Sequence, residues 1–220
     1  MRASPPERVQ VIRAVVWDFG GVFTTSPFEA FNRYEAEHGL PRDFIRTVNA
    51  ARPDHNAWAL FERAEITADE FDRMFREEAI ALGHDVRGAE VLPLLSGDVR
   101  PKVVEALKDC KARGLKVGCI TNNVKTGSGA GMASSSEKAS AVAAIMAEFD
   151  VVIESSKAGV RKPDPRIYQM MIEALGVEPG ECIYLDDLGV NCKPAAALGM
   201  HAIKVTGEAQ LLADLAEALA

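Results

Sequence analysis

The chain has 220 residues and a formal net charge of −7, with 48% hydrophobic and 26% charged residues. That apolar share fills a core without disulfides or a structural metal, which excludes the stapled mini-scaffolds and leaves one domain or a domain with an inserted lobe. A pI near 5.2 argues against a broad nucleic-acid surface, and the opening MRASPPERVQVIRAVVWD holds no long uncharged apolar segment, so neither a signal peptide nor a membrane span is expected.

Residues 12–19 read as the first strand. The run Ala14-Val15-Val16-Trp17 is continuously apolar, as in a strand buried on both faces of a parallel sheet. It ends in Asp18, followed by Phe19, Gly20 and Gly21, so a carboxylate stands at the strand's carboxyl end beside a sharp turn. From Phe28 to about Leu82 the apolar positions recur at three- and four-residue spacing, which predicts several amphipathic helices. Thr67-Ala68-Asp69-Glu70 is a capping box that starts the helix carrying Phe71 and Phe75.

From Arg100 onward helices and strands alternate. Pro101 to Arg113 is expected as a helix closed by Gly114, and Leu115 to Ile120 as a strand. Residues 126–136, TGSGAGMASSS, read as a mobile surface loop. A helix over 137–149 and a strand over 150–153 follow. Asp164 caps a helix opened by Pro165 and closed by Gly176. Cys182 to Leu185 is a strand ending in Asp186 and Asp187. A short helix over 194–198, a strand over 202–205 and a helix over 208–219 close the chain. This alternation implies βαβ units: an α/β, Rossmann-like parallel sheet with helices on both faces. Residues 25–92 are expected as a helical cap inserted between core segments 1–24 and 93–220, placed to act as a lid.

Cys110, Cys119, Cys182 and Cys192 form no C-x-x-C pair or zinc spacing, and two of them lie in apolar runs. A reduced, cytoplasmic protein is therefore expected. The histidines, His38, His55, His84 and His201, are scattered and receive no role.

Four strand ends collect chemistry: Asp18; Thr121-Asn122-Asn123; Arg161-Lys162 ahead of a helix; and Asp186-Asp187 with Asn191 four residues on. Carboxylates ending two apolar strands suit a divalent cation. The order of these groups resembles the haloacid dehalogenase (HAD) superfamily. "DFGGV", "ITNN", "ESSKAGVRKPDPRIY" and "YLDDLGVNCKPAAALGM" are similar to the N-terminal phosphatase-like domains of soluble epoxide hydrolases. They are equally similar to the HAD domains of certain acyl-CoA dehydrogenase family proteins, as is "RAEITADEF" in the helical stretch. The resemblance covers residues from about 12 to 207.

The resemblance implies a Mg²⁺-dependent phosphohydrolase acting on a small phosphorylated metabolite. Asp18 matches the family nucleophile, which forms an aspartyl-phosphate, and Lys162 the motif lysine. Thr121 and the Asn122 backbone match the phosphate-holding position. Asp18, the Gly20 carbonyl and Asp187 match the metal ligands, with Asp186 a second acidic partner, direct or through water, and Asn191 a support. No nucleic-acid or membrane partner is implied, and the oligomeric state is left open. The chain departs from the family pattern at Gly20, where most phosphatases carry a second Asp as general acid/base. Such a group typically contributes about 10²–10⁴-fold, so a leaving group of low pKa suits this chain best. Two alternatives remain: a non-catalytic binding or regulatory module on the same fold, and a 2-haloacid dehalogenase. Against the dehalogenase stand Asp186 and Asp187, which repel a carboxylate substrate unless a cation is present.

Overall fold

The apolar run ahead of Asp18 forms β1 (Ala14–Trp17), all four residues buried. It is flanked by β2 (Lys116–Thr121) and β4 (Cys182–Asp186), with β3 (Val151–Glu154) beyond β2 and β5 (His201–Lys204) beyond β4. The sheet order is β3-β2-β1-β4-β5, and every pairing is parallel. This architecture comes from a computed structural model that describes residues 11–123 and 136–220. Most of the Gly/Ser-rich stretch, residues 126–135, and the first ten residues, where no leader was expected, lie outside the described residues.

Successive residues of β1 point to opposite faces. Val15 and Trp17 pack with α6 (Pro101–Ala112), α7 (Ser136–Met146) and α11 (Glu208–Ala218), through Leu107, Ile145 and Leu211. Ala14 and Val16 pack with α9 (Pro165–Leu175) and α10 (Gly189–Ala197), through Ile167, Met171 and Ala195. Gly118 lets α9 approach β2, because a methyl group there would meet the Met171 sulfur. The chain order reverses between β1 and β4, so their carboxyl ends flank a crevice of the kind in which open α/β sheets bind ligands.

Between β1 and α6 lie five helices: α1 (Pro27–Glu37), α2 (Phe44–Ala50), α3 (Ala57–Glu62), α4 (Ala68–Ala81) and the short α5 (Gly88–Val91). They enclose an apolar cluster of their own, in which Phe71 packs against the rings of Trp58, Phe61 and Phe75. The capping box at Thr67 and Glu70 is formed. The segments entering and leaving this lobe run side by side through an isolated Thr24–Val99 antiparallel bridge. Arg100 clamps them further by donating to the Gly21 carbonyl at 2.8 Å.

Most element boundaries fall within a few residues of the expected ones, and the largest shift is at α10. The helix expected over 194–198 begins at Gly189 and contains Pro194. Packing keeps it helical despite the missing donor, since Asn191, Cys192 and Ala195 are all buried. One short helix, α8 (Ser155–Ala158), was not anticipated; Gly159 ends it in the left-handed conformation.

Candidate active site at the strand ends

Backbone pairing carries Asp18 one residue past β1, its N–H donating to the Leu185 carbonyl at 2.8 Å. Asp186 is the last residue of β4 and Asp187 follows it. The two strand ends thus bring residues 168 positions apart into one cluster. Among the described residues, Asp18, Asp186 and Asp187 each offer a carboxylate oxygen within 4.8 Å of the others.

Lys162 lies among them, 1% exposed. Its Nζ is 2.7 Å from Asp18 Oδ1 and 2.8 Å from Asp186 Oδ2. Burial, which disfavours the ammonium, is outweighed by these two carboxylates, and the Lys162 pKa lies above its ordinary value. Burial, opposed by Lys162 and reinforced by Asp186 and Asp187, pushes Asp18 up to about 8. Burial and the neighbouring Asp186 push Asp187 up to about 6. One ammonium does not balance three crowded carboxylates, so the cluster favours a further positive charge.

The three acids differ in how they are held. Asp186 is fully buried. It accepts from Lys162, from Tyr184 Oη at 2.6 Å, from the Leu188 N–H at 2.8 Å, and from Asn191 Nδ2 at 3.0 and 3.1 Å. Asp18 accepts from the Phe19 N–H at 2.6 Å besides Lys162. Asp187 is half-buried and lies against Gly21, whose φ is +75°. A side chain at Gly21 would collide with the Asp187 carboxylate, so both the turn and the close approach require glycine there.

Thr121 is buried at the end of β2. The Asn122 side chain is spent on the main chain of Lys162, accepting from its N–H at 2.9 Å and donating to its carbonyl at 3.1 Å. Asn123 tethers α8: its Oδ1 accepts from the Ser156 N–H at 3.2 Å. Gly20 lines a cavity of about 150 Å³ together with Phe19, Thr121, Val99, Val142 and Met146. A Cβ at Gly20 would meet no atom within 4 Å.

The structure brings together all the site residues expected from sequence, Asn191 included. It also adds four that sequence reasoning missed: Tyr184 and Tyr168, which brace Asp186 and the Asn191 carbonyl, Arg100 and Glu62. Arg161 is directed toward the helical lobe, its Nε 2.5 Å from Glu62 Oε2. Tyr184 sits two residues before Asp186 and so faces the same side of the strand, a signal the sequence does carry. The Glu62 partnership spans 99 positions and leaves no local trace.

The family model for haloacid dehalogenase-like hydrolases matches residues 12–199. The chain belongs to that family. Among HAD-like relatives, the Mycobacterium tuberculosis protein named Phosphatase MT3486 is 38% identical over 215 residues, covering 90% of this chain and 89% of the relative. Mouse acyl-CoA dehydrogenase family member 10 is 35% identical over 201 residues; the match covers 88% of this chain but 18% of that much longer protein. A HAD family enzyme of Bacteroides thetaiotaomicron, solved with magnesium and inorganic phosphate, superposes with a TM-score of 0.55 at 19% identity, covering 90% of this chain and 96% of the other. At that identity the likeness establishes the fold. No helix among the described residues is long and apolar enough to cross a membrane.

Proposed function

We propose that this HAD-like hydrolase is a Mg²⁺-dependent phosphatase of small phosphorylated metabolites, working through an aspartyl-phosphate on Asp18. The observation that carries the reading is the cluster itself: three carboxylates around one buried ammonium at the carboxyl ends of adjacent strands. The phosphatase relative and the magnesium–phosphate complex of a structural neighbour point the same way.

The donor set fits magnesium, which takes a few protein oxygens and keeps its waters. Asp18, Asp187 and the Gly20 carbonyl would hold the ion, and Asp186, its oxygens already engaged by four groups, would serve through water. Mg²⁺, when bound, lets an anionic phosphate approach an anionic nucleophile and offsets charge in the transition state.

The chain's own residues perform the rest. Phe19 N–H and Lys162 hold Asp18 Oδ1, which fixes the carboxylate and leaves Oδ2 to attack phosphorus. The Oδ2–P bond forms as the P–O bond to the leaving group breaks. Water then attacks phosphorus, the P–Oδ2 bond breaks, and phosphate departs carrying the water's oxygen and restoring Asp18 as a carboxylate. Thr121 and the Asn122 main chain would receive phosphate oxygens. The cavity beside Gly20 leaves room for the leaving group. With no side chain at Gly20, that group must depart with little help from a proton donor at that position, so aryl and acyl phosphates suit the site. The helical lobe at residues 25–92 acts as the cap that closes over it.

Hydrolysis of p-nitrophenyl phosphate with Mg²⁺ and with EDTA, beside Asp18→Asn, tests the reading. Turnover is expected with metal and lost in the variant. An equally active Asp18→Asn protein overturns the covalent mechanism. Absence of any turnover, with Mg²⁺ binding measured by calorimetry, favours a binding module on the same fold.

A further inference from the structure

We infer that Glu62, in the helical lobe, is a positioning residue that couples the seating of that lobe on the core to the placement of Lys162. Glu62 ends α3 and is 6% exposed. Its carboxylate is the meeting point of both parts of the molecule. Oε1 accepts from Trp58 Nε1, within the lobe, at 2.9 Å. Oε2 accepts from Arg161 Nε at 2.5 Å and from Asn122 Nδ2 at 3.2 Å, both from the core. The Glu62 carbonyl also accepts from Ser155 Oγ at 2.7 Å. Arg161 reaches a second lobe group, the Pro53 carbonyl, at 3.1 Å.

These contacts lead directly to the ammonium. Arg161 immediately precedes Lys162, and the Asn122 side chain bonds both the N–H and the carbonyl of Lys162. Lys162 Nζ in turn holds Asp18 Oδ1 and Asp186 Oδ2. A charge-assisted, largely desolvated pair such as Glu62–Arg161 is among the stronger single contacts available to a docked lobe. It is also one whose rupture leaves a buried charge unpaired. With the lobe seated, the carboxylate orients Arg161 and Asn122 together, and the main chain of Lys162 is held on both sides. With the lobe lifted, Asn122 and Arg161 lose their shared acceptor and the Lys162 segment is freed. Glu62 itself touches neither Asp18 nor the phosphate position; it acts through Asn122 and Arg161.

The kinetic part of this inference rests on the proposed phosphatase activity, so the experiment has two arms. In the first, amide hydrogen exchange is followed by NMR in the wild type and in Glu62→Gln. The Lys162 N–H, which donates to Asn122 Oδ1, should exchange at least about tenfold faster in the variant, while amides of β1 and β4 keep their protection. In the second, p-nitrophenyl phosphate hydrolysis is measured with Mg²⁺. Glu62→Gln should lower kcat about tenfold or more with KM within about twofold, because Lys162 serves the reacting centre rather than ground-state binding. Asn122→Ala should do the same, and the double variant should be little worse than either, the non-additivity of residues in one network. Arg63→Ala is the control. Arg63 is the next residue along, but it pairs with Glu65 and the Asp54 carbonyl inside the lobe, and its activity should match the wild type.

An unchanged Lys162 amide in Glu62→Gln overturns the inference, as do multiplicative effects of Glu62→Gln and Asn122→Ala. If Glu62→Gln does not fold, Arg161→Met removes the same pair from the core side and is held to the same outcomes. A wild type with no phosphatase activity sinks the proposed function, while the exchange arm still decides the role of Glu62.

Discussion

In the helical lobe, Glu35 is buried with its carboxylate accepting from the N–H groups of Asp43 and Ile45 at 2.8 and 2.9 Å. At the strand ends, Asp18, Asp186 and Asp187 are packed together around one lysine. Both regions bury acidic groups, yet they differ in how completely each charge is answered. Glu35 caps the start of α2 with two donors of its own, a local arrangement that needs nothing further. The strand-end cluster has more negative charge than its fixed donors balance, and burial, reinforced by the neighbouring carboxylates, pushes Asp18 and Asp187 upward. A protein that buries carboxylates only to hold itself together supplies each with donors. One that leaves several in excess at the mouth of a crevice has arranged them for something that arrives from solution.

This contrast sets the order of the tests. The largest effect is expected for Asp18→Asn, which keeps the size and the acceptor oxygen but removes the nucleophile. Turnover should fall by about 10³-fold or more with an unchanged circular-dichroism spectrum. The lobe gives the opposite pattern. Phe71→Ala should cost about 3–5 kcal/mol in denaturant unfolding, because Phe71 is fully buried among three rings of the lobe's own cluster.

Next comes Gly20→Asp, for which there is free space around the added Cβ. It should raise the rate on alkyl phosphates about tenfold or more while changing the rate on p-nitrophenyl phosphate little, since only the poorer leaving group needs a proton. Equal effects on both substrates would break the link between position 20 and leaving-group chemistry.

Burial of these crowded carboxylates predicts a pH signature. Folded-state pKa values of about 8 for Asp18 and about 6 for Asp187 lie above the ordinary carboxylate value of 3.8. The folded, metal-free protein therefore holds protons that the unfolded chain has released. The stability these groups contribute is full below about pH 4 and is lost as pH rises through about 6 and then 8. Melting measured in EDTA and in Mg²⁺ should show a metal-induced rise in Tm that is larger at pH 8 than at pH 5. A rise that is the same at both would mean that the ion does not bind the carboxylate cluster. The smallest effect belongs to Thr67→Ala, which removes the N-cap of α4 at the lobe surface and should cost about 1 kcal/mol without altering turnover.

Much of the molecule is legible from short stretches of chain. Local rules act over a few residues and leave local marks. The apolar run into Asp18, the capping box at Thr67, Pro165 after Asp164, and Gly176 at the end of α9 all stand where they were expected. Helix α10 shows the limit. Pro194 reads as a start, yet the helix begins five residues earlier because burial of Asn191 and Cys192 outweighs one missing hydrogen bond. Arg161 shows it more sharply: nothing near it in sequence explains its half-buried pairing, because its partner lies on α3.

The sequence by itself determined the alternation that makes a parallel sheet, the helical lobe after β1, and which acidic residues end which strands, since period, caps and turns are properties of neighbouring residues. Only the tertiary structure decided that Asp18 and Asp186 share one ammonium. It alone showed that Tyr184, Asn191 and Leu188 occupy Asp186, and that Glu62 joins the lobe to the segment carrying Lys162. Those pairings depend on distances between residues far apart in the chain, which are set by strand order and helix packing and by no pattern along the chain.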